Sequence, residues 1–257
     1  MKISIITINL NNRAGLEKTF KSISEQTYQD FEYIVIDGCS NDGSRELIGN
    51  NTRINFWKSE KDSGVYDAMN KGIKEAKGEY LLFLNSGDFL NEITTIENVI
   101  PQLKNEDIIY GNLIFAEKKG AVLYKYPSKL TFNFLFTASL GHPATFIKKE
   151  LFEKYGYYDQ HYKIIADWVF FTKVIAKEHV LTRHIDQTIT IFDTDGMSSD
   201  PKNQSRILDE RKQFLEQEFP LFYNDYIEHV ETQYILRRIQ SSKGFRILKK
   251  IGVKKFQ

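Results

Sequence analysis

Short apolar strands alternate with amphipathic helical segments from the N-terminus to about residue 115, and this alternation constrains the fold more than any other feature. Residues 3–8 and 31–36 are runs of mostly β-branched and apolar side chains, whereas residues 16–23 and 65–76 place apolar side chains at helical spacing. Apolar strands that alternate with helices are typical of a mostly parallel sheet with helices on both faces. We therefore predict an α/β fold whose ligands bind at the carboxyl ends of the strands.

The second half of the chain is less regular, and its last two helical patterns suggest a separate extension. We predict a catalytic domain at residues 1–202 and a helical extension at residues 203–257. The aromatic side chains of the last helices suit packing on the sheet domain or on a second copy of the chain, so a homodimer stays open. The other predicted elements are a helix at 43–48, strands at 54–57, 80–84, 108–115 and 123–126, a helix at 165–177, one or two strands at 180–192, and helices at 205–218 and 222–240.

Composition and missing motifs exclude several classes of protein. With 41% hydrophobic and 27% charged residues the chain can bury a core, and its one cysteine, Cys39, excludes a disulfide framework. We find neither a membrane-spanning run nor a signal peptide, and therefore expect a reducing cytoplasm. The sequence also lacks the glycine-rich dinucleotide fingerprint, the P-loop, the G-x-S-x-G elbow and any zinc spacing among its five histidines.

The net charge of +1 hides a basic segment at the C-terminus. Residues 232–257 hold eight basic and no acidic residues, which leaves 27 basic and 34 acidic residues, a charge of −7, in the rest of the chain. This acidic balance argues against a nucleic-acid-binding protein. Because the cations of the segment are interleaved with isoleucine, leucine and phenylalanine, it suits an amphipathic helix on an anionic membrane surface or, equally, a solvated terminal helix.

Two aspartates stand where ligands bind in this class of fold. Asp37 and Asp88 each come at or just past the end of an apolar strand. Taken singly, each also suits a turn or a helix cap. Together with Asp62, Asp67 and Asp167 they predict an acidic site, and such a site needs a divalent cation such as Mg²⁺ or Mn²⁺ to accept a polyanionic nucleotide.

Four stretches of the sequence have the form of motifs from one family. Residues 4–12, S-I-I-T-I-N-L-N-N, resemble a first strand with its nucleotide-contacting turn, and residues 32–44 resemble the signature V-I-D-G-x-S-x-D-G-[ST]. Residues 59–73 resemble E-x-D-x-G-[IV]-Y-D-A-M-N-K-G-I, the most specific stretch in the chain. Residues 84–88, L-N-S-G-D, stand in the place of a D-x-D metal motif, with Asn85 where the first carboxylate usually is. From residue 1 to about 200 the chain thus resembles the inverting family 2 glycosyltransferases of the GT-A fold, which build bacterial surface polysaccharides.

This resemblance implies a role for each matching residue. Asp88 would bind Mn²⁺ or Mg²⁺, and Asp37 would accept hydrogen bonds from the nucleotide base. Residues 165–168 resemble the family's acidic motif, which would make Asp167 the general base. Residues 141–146 resemble the acceptor-side segment, which carries His142, and residues 193–199 suit either a loop near the diphosphate or an ordinary turn. The residues implied to bind the nucleotide sugar are Thr7, Asn9, Asn11, Asp37, Asp62, Asp67, Asn70, Asn85 and Ser86.

The implied reaction moves a sugar from a nucleotide-diphosphate donor, with a UDP-sugar favoured, to a hydroxyl of a glycan or lipid-linked oligosaccharide at the inner face of the cell membrane. Three alternatives stay open. A sugar-nucleotide pyrophosphorylase needs a glycine-rich basic loop after its first strand, which residues 9–13 do not provide. A non-catalytic family member that binds nucleotide sugars would explain the missing first carboxylate. A membrane-surface scaffold would act through residues 232–257.

Overall fold

The computed structural model describes residues 1–117 and 120–253. Lys254, Lys255 and the other two residues at the end of the predicted basic segment therefore lie outside the described residues. The chain divides into two compact units, Met1–Ile207 and the residues from Leu208 onward. The first unit contains the sheet.

Nine strands form a single sheet within the described residues. They are β1 (Ile3–Asn9), β2 (Glu32–Asp37), β3 (Phe56–Ser59), β4 (Tyr80–Phe83), β5 (Phe89–Leu90), β6 (Ile108–Glu117), β7 (Gly120–Tyr124), β8 (Thr145–Lys148) and β9 (Thr182–Asp193). The strand order is β3-β2-β1-β4-β8-β6-β9-β5, and β7 pairs with β6 beside this path.

The predicted α/β fold is confirmed, and its parallel part lies in the first half of the chain. Strands β1 to β4 are mutually parallel, as the alternation of strands and helices requires. Beyond them the sheet is mixed, because β8 runs antiparallel to both β4 and β6, and β5 runs antiparallel to β9. Strand β9 runs parallel to β6 and, because β8 is antiparallel to both β4 and β6, in the same direction as β4 and β1, so its carboxyl end lies at the same edge of the sheet as theirs.

Ten α-helices connect or follow the strands in the described part of the chain. They are α1 (Arg13–Ser24), α2 (Ser44–Gly49), α3 (Val65–Glu75), α4 (Thr95–Val99), α5 (Phe132–Thr137), α6 (Lys149–Tyr155), α7 (Ala166–Thr172), α8 (Gln204–Glu218), α9 (Pro220–Ser241) and α10 (Lys243–Lys250). The helix predicted at 165–177 is α7 followed by a π-helical turn at Lys173–Lys177.

Helix α3 packs closely on the parallel strands and thereby places its first turn near their carboxyl ends. Its apolar face includes Met69 and Ile73, which are buried. Gly72 lies against β1, where an added Cβ atom would be 2.5 Å from Ile6 Cγ2. A larger residue at position 72 would therefore push the helix off the sheet.

The last two helices carry exposed apolar side chains. None of the residues of α9 and α10, all of which the structure describes, is buried. In α10 and the turn after it, Ile247 and Ile251 are 60% and 68% exposed and lie four residues apart, on one helix face. Across residues 1–117 and 120–253, no helix combines the length and the hydropathy that crossing a bilayer would require.

Candidate active site

The carboxyl ends of β1, β2 and β3 place three polar side chains in a row. The strand register aligns Asn9 with Asp37, and Asp37 with Ser59. Asp37 accepts hydrogen bonds from Asn9 Nδ2 at 2.9 Å, from Ser59 Oγ at 2.6 Å, and from both the hydroxyl and the backbone nitrogen of Ser40. Burial alone would raise the pKa of Asp37, but these hydrogen bonds outweigh it and lower the pKa below its ordinary value.

These contacts make Asp37 an organiser of the turn that follows β2. Four hydrogen bonds fill the acceptor sites of one carboxylate, and the residue is fully buried. The implied contact with a nucleotide base therefore requires one of these internal hydrogen bonds to be exchanged. Asn11 helps to hold the same turn, since its backbone nitrogen donates to Ser40 Oγ and its side chain accepts from the backbone nitrogen of Asn41.

Thr7 lies beneath this edge, inside the core. Its hydroxyl donates to the Leu84 carbonyl oxygen at 2.7 Å and accepts from the Tyr33 hydroxyl at 3.1 Å, and the residue is fully buried. In this conformation Thr7 offers no surface to a nucleotide sugar. Its hydrogen bonds instead tie β1 to the residue after β4.

The motif at residues 59–73 builds the entrance of α3. The Asp67 carboxylate accepts a hydrogen bond from the Ser63 backbone nitrogen and pairs with Lys71 Nζ, both at 3.1 Å. Asn70 uses both ends of its amide on the Tyr158 backbone, at 2.8 and 3.0 Å. Asp67 and Asn70, both predicted to bind the nucleotide sugar, thus form hydrogen bonds within the protein. Asp62, the third predicted ligand on this segment, is half-buried and lies beside Gly38, just after β2.

The loop after β4 brings Asp88 next to Asp193, the last residue of β9. Asp88 is 3% exposed, and its Oδ1 atom accepts a hydrogen bond from the Asp193 backbone nitrogen at 2.9 Å. Gly87 has a φ of 111°, and a Cβ atom there would be 2.8 Å from Asp193 Oδ2. Only glycine combines this left-handed backbone with such a close approach.

The electrostatics of this pair fit a divalent cation. Burial above all, together with the Asp193 charge, raises the pKa of Asp88 to about 7, although the backbone hydrogen bond from Asp193 acts in the opposite direction. Carboxylate oxygens are the ligands that Mg²⁺ and Mn²⁺ prefer, and Mg²⁺ is commonly held by one or two of them together with substrate phosphates. The donor set of Asp88 and Asp193 therefore fits the implied cation.

The five aspartates do not form one metal-binding cluster. The described residues contain no group of three or more His, Cys, Asp or Glu side chains that would hold a metal. The reason is the strand order: Asp37 lies at the end of β2 and Asp88 just past β4, with β1 between these strands. Most of the charge that binds a cation would therefore have to come from the diphosphate.

Asp167 lies in the first turn of α7, where the side chains of Tyr66 and His142 contact its carboxylate. Its Oδ1 atom is 2.8 Å from the Tyr66 hydroxyl, and its Oδ2 atom is 3.2 Å from His142 Nδ1. Tyr66 is also 2.6 Å from the Ile164 carbonyl oxygen, so its one hydrogen is shared between two acceptors. Burial would raise the pKa of Asp167, but the hydrogen bonds from His142 and from the Tyr66 hydroxyl outweigh it and lower the pKa below its ordinary value. The carboxylate is therefore ionised at neutral pH and able to take a proton.

His142 joins this carboxylate to the loop that carries Asp88. Its Nε2 atom is 3.1 Å from Asn85 Nδ2, while the Asn85 Oδ1 atom is buried and has no hydrogen-bond partner among the residues that the structure describes. A buried acceptor without a partner costs about 1–3 kcal/mol, a cost that a donor group reaching it would remove. Ser86, next to Asn85, is half-buried, and its carbonyl oxygen accepts a hydrogen bond from Asn12.

Three hydroxyl groups hold the backbone around His142. The Gly141 nitrogen donates to the Tyr126 hydroxyl at 2.8 Å, and Thr145 donates to the Gly141 carbonyl oxygen at 2.8 Å. Thr190, on β9, donates to the Pro143 carbonyl oxygen. The imidazole is therefore fixed by the interior of the sheet.

One residue of this site, Tyr66, was not predicted to belong to it. Tyr66 lies in the most specific motif, yet its contact with Asp167 joins residues 101 positions apart. Asp193 was predicted only as the first residue of the loop at 193–199, although it follows the strand predicted at 180–192 just as Asp37 follows the strand predicted at 31–36. The structure therefore brings together Asn85, Asp88, Asp193, His142, Asp167 and Tyr66, with Asn9, Asn11, Asp37 and Asp62 along the neighbouring edge.

Comparison with known families assigns the chain. The family model described as Glycosyl transferase family 2 matches residues 4–177, more than half of the chain. The chain belongs to glycosyl transferase family 2. The family 2 match covers all the residues named at this site except Thr190 and Asp193.

Curated relatives of this family 2 glycosyltransferase support the assignment. A "PGL/p-HBAD biosynthesis glycosyltransferase" of Mycobacterium bovis is 31% identical over 202 residues, which cover 75% of this chain and 77% of the relative. An "Uncharacterized glycosyltransferase" of Mycobacterium tuberculosis is 33% identical over 204 residues, 77% of each chain. The protein is therefore a glycosyltransferase, an enzyme of glycoconjugate synthesis.

Solved structures confirm the predicted GT-A type of fold for the family 2 chain. The structure of S. aureus TarS 1–349 in complex with UDP-GlcNAc matches with a TM-score of 0.68 at 18% identity, covering 99% of this chain and 76% of TarS 1–349. The chain spans 44% of the longer S. aureus TarS structure. The mannosyltransferase PcManGT from Pyrobaculum calidifontis, in complex with GDP-Man and Mn²⁺, matches with a TM-score of 0.60 at 19% identity, covering 85% of this chain and 63% of PcManGT.

Proposed function

We propose that the protein is an inverting glycosyltransferase that moves a sugar from a nucleotide-diphosphate donor to a hydroxyl of a glycan or lipid-linked oligosaccharide. One observation carries the proposal. The imidazole of His142 contacts both parts of the site. Its Nε2 atom is 3.1 Å from Asn85 Nδ2, in the loop after β4 that we call the donor-side loop, and its Nδ1 atom is 3.2 Å from Oδ2 of the ionised Asp167 carboxylate. His142 thus links the loop of Asn85 and Asp88, proposed to bind the diphosphate, to Asp167, proposed to remove the proton. A single displacement requires these two functions close together.

Asp167 does the proton chemistry in this proposal. Its carboxylate accepts the hydrogen of the acceptor hydroxyl while the hydroxyl oxygen forms a bond to the anomeric carbon. The bond from that carbon to the diphosphate oxygen breaks, and its electron pair leaves with the diphosphate. Because one displacement occurs from the opposite face, the anomeric centre inverts and no nucleophile of the protein is needed. Tyr66 and His142 keep the carboxylate oriented and charged.

Asp88 and Asp193 would hold a divalent cation together with the diphosphate oxygens. When bound, Mn²⁺ or Mg²⁺ supplies positive charge for the diphosphate as it leaves. The neighbouring Asn85 Oδ1, buried without a partner, suits a hydroxyl of the donor. Asn9, Asn11, Asp37 and Asp62 shape the edge proposed to hold the nucleoside.

The donor is proposed to be a UDP-sugar, in line with the TarS complexes with UDP and UDP-GlcNAc. The test is a screen of nucleotide sugars with Mn²⁺ by thermal denaturation, because a ligand at about 100 times its Kd adds ~2.7 kcal/mol of stability. The donor found this way is then supplied with acceptor glycans, and the anomeric configuration of the product is read by NMR. A product with retained configuration would contradict the mechanism. If none of the donors were hydrolysed or used for transfer, the proposed function would be wrong.

The basic C-terminal segment is proposed to hold the enzyme at the anionic inner face of the cell membrane, where a lipid-linked acceptor would lie. Within the described residues this segment presents Arg237, Arg238, Lys243, Arg246, Lys249 and Lys250 without an acidic residue. Ile247 and Ile251 supply exposed apolar surface on the same segment. Cations with apolar side chains on a short helix suit the boundary between lipid headgroups and acyl chains.

Neutralising three of these cations is expected to weaken vesicle binding. The variant R246Q/K249Q/K250Q should bind phosphatidylserine-containing vesicles about 100-fold more weakly in a sedimentation assay, since each basic residue near the surface contributes ~1 kcal/mol. Transfer to a soluble acceptor should not change. The matched control neutralises exposed lysines of other helices: Lys18, Lys21 and Lys212. Equal binding by both triple variants, or equal binding to neutral vesicles, would contradict the membrane role.

A further inference from the structure

His142 stands between the two halves of the proposed active site, and its contacts point to a specific task. Its Nδ1 atom is 3.2 Å from Asp167 Oδ2. We infer that His142 is a positioning residue, whose Nδ1–H group holds the Asp167 carboxylate in one orientation and in its ionised form. The inference rests on the proposed function and deepens it, because it says how the base is kept ready.

Asn85 fixes the hydrogen on the correct nitrogen of the ring. An amide nitrogen donates hydrogen bonds and does not accept them, so Asn85 Nδ2 requires His142 Nε2 to be an acceptor. A ring that accepts a hydrogen bond at Nε2 carries its hydrogen on Nδ1, which faces Asp167. The donor-side loop therefore sets the tautomer that the base needs.

The setting of His142 leaves the ring little freedom to turn. Its side chain is 15% exposed, and the edge of the Phe83 ring packs against it with centroids 6.4 Å apart. The backbone on both sides of the ring is held by the hydroxyl groups of Tyr126, Thr145 and Thr190. A hydrogen-bond partner held this rigidly acts on the reactive carboxylate without reorganising during the reaction.

Other groups face this pair and have to be separated from the effect of the imidazole. The Tyr66 hydroxyl lies on Asp167 Oδ1. Burial first, and then the Asp167 charge, raise the pKa values of Tyr66 and Tyr158, while burial is the main cause for Tyr126. These phenols stay neutral where a carboxylate titrates. Asp88 faces His142 from the loop, so its titration has to be followed separately from that of Asp167.

Two substitutions at position 142 test the inference. His142→Phe removes the donor, and His142→Asn returns an amide nitrogen near the place of Nδ1. We expect the ¹³C carboxyl resonance of Asp167, assigned with D167N, to titrate about one pH unit higher in H142F and near the wild-type value in H142N. In the transfer assay the acid limb of the kcat profile should move upward with it. At neutral pH kcat should fall about 10- to 100-fold, the value of a hydrogen bond to a charged group, with an unchanged KM for the donor.

His184 supplies the matched control. Its Nε2 atom is 3.0 Å from Asn112 Oδ1, outside the proposed site, so His184→Gln should leave the Asp167 titration and the kcat profile unchanged. An Asp167 pKa that stays constant in H142F overturns the inference even when the enzyme transfers sugar. If wild-type protein transfers no sugar while the Asp167 resonance shifts as expected, the proposed function fails and the coupling of His142 to Asp167 stands.

Discussion

Asp167→Asn is expected to slow sugar transfer by about 10²- to 10⁴-fold, the usual contribution of a general base. The amide has the size of the carboxylate but cannot take up the proton of the acceptor hydroxyl. Nucleotide binding should not change, because His142 separates Asp167 from the loop of Asn85 and Asp88. The measurements are the transfer rate at saturating donor and the Kd of the nucleotide by calorimetry.

The control for this substitution is Asp209→Asn, which removes an exposed carboxylate from α8. It should leave both the rate and the affinity at wild-type values. If D167N transferred sugar at the wild-type rate, another group would have to take the proton, and the assignment of Asp167 would be wrong. If it lost nucleotide binding as well, Asp167 would instead belong to the donor site.

Asp88→Asn is expected to stabilise the protein in the absence of nucleotide and cation, by up to about 4 kcal/mol at pH 8. Burial and Asp193 raise the pKa of Asp88 to about 7, compared with ~3.9 for an unfolded aspartate. The folded state therefore holds the Asp88 proton more tightly, and each pKa unit is worth ~1.36 kcal/mol. The wild type should lose stability as the pH rises from about 4 to 7, and the variant should not show this slope. Urea unfolding at pH 5 and pH 8 measures both.

The same substitution should nearly abolish transfer. Without the Asp88 charge, we expect the rate to fall by at least ~10²-fold, the cost of removing one group that stabilises the charge of a transition state. Mn²⁺ should also cease to increase the stability of the nucleotide complex. The control is Asp186→Asn, since the Asp186 side chain is 74% exposed. Wild-type stability at both pH values, together with a normal response to Mn²⁺, would contradict the role of Asp88.

Hydrophobic patterning was sufficient to predict which strands bring their carboxyl ends to one edge of the sheet. The runs at 3–8, 31–36 and 80–84 became β1, β2 and β4, and their parallel pairing brings their carboxyl ends together. Patterning was not sufficient for β8, or for β5, which has only two residues. A run of that length is set by the strands that pair with it, and a short window contains no periodicity to detect.

Individual roles at the edge depended on contacts that the sequence does not contain. The register aligns Asn9, Asp37 and Ser59, and as a result Asp37 forms its hydrogen bonds with neighbouring residues of the protein. The contact of Tyr66 with Asp167 arises only when α3 and α7 meet. Asp193 is different, since it follows the strand predicted at 180–192 directly, and the rule that selected Asp37 applies to it unchanged.

The hydroxyl groups of Tyr126, Thr145 and Thr190 have a consequence for how such an enzyme diversifies. They hold the backbone on both sides of His142, and all three residues are buried. Exposed residues that recognise the acceptor could therefore change without altering the proposed proton-transfer pair of Asp167 and His142. Variants designed for a new glycan acceptor should therefore keep these three buried residues and change exposed residues around the proposed site.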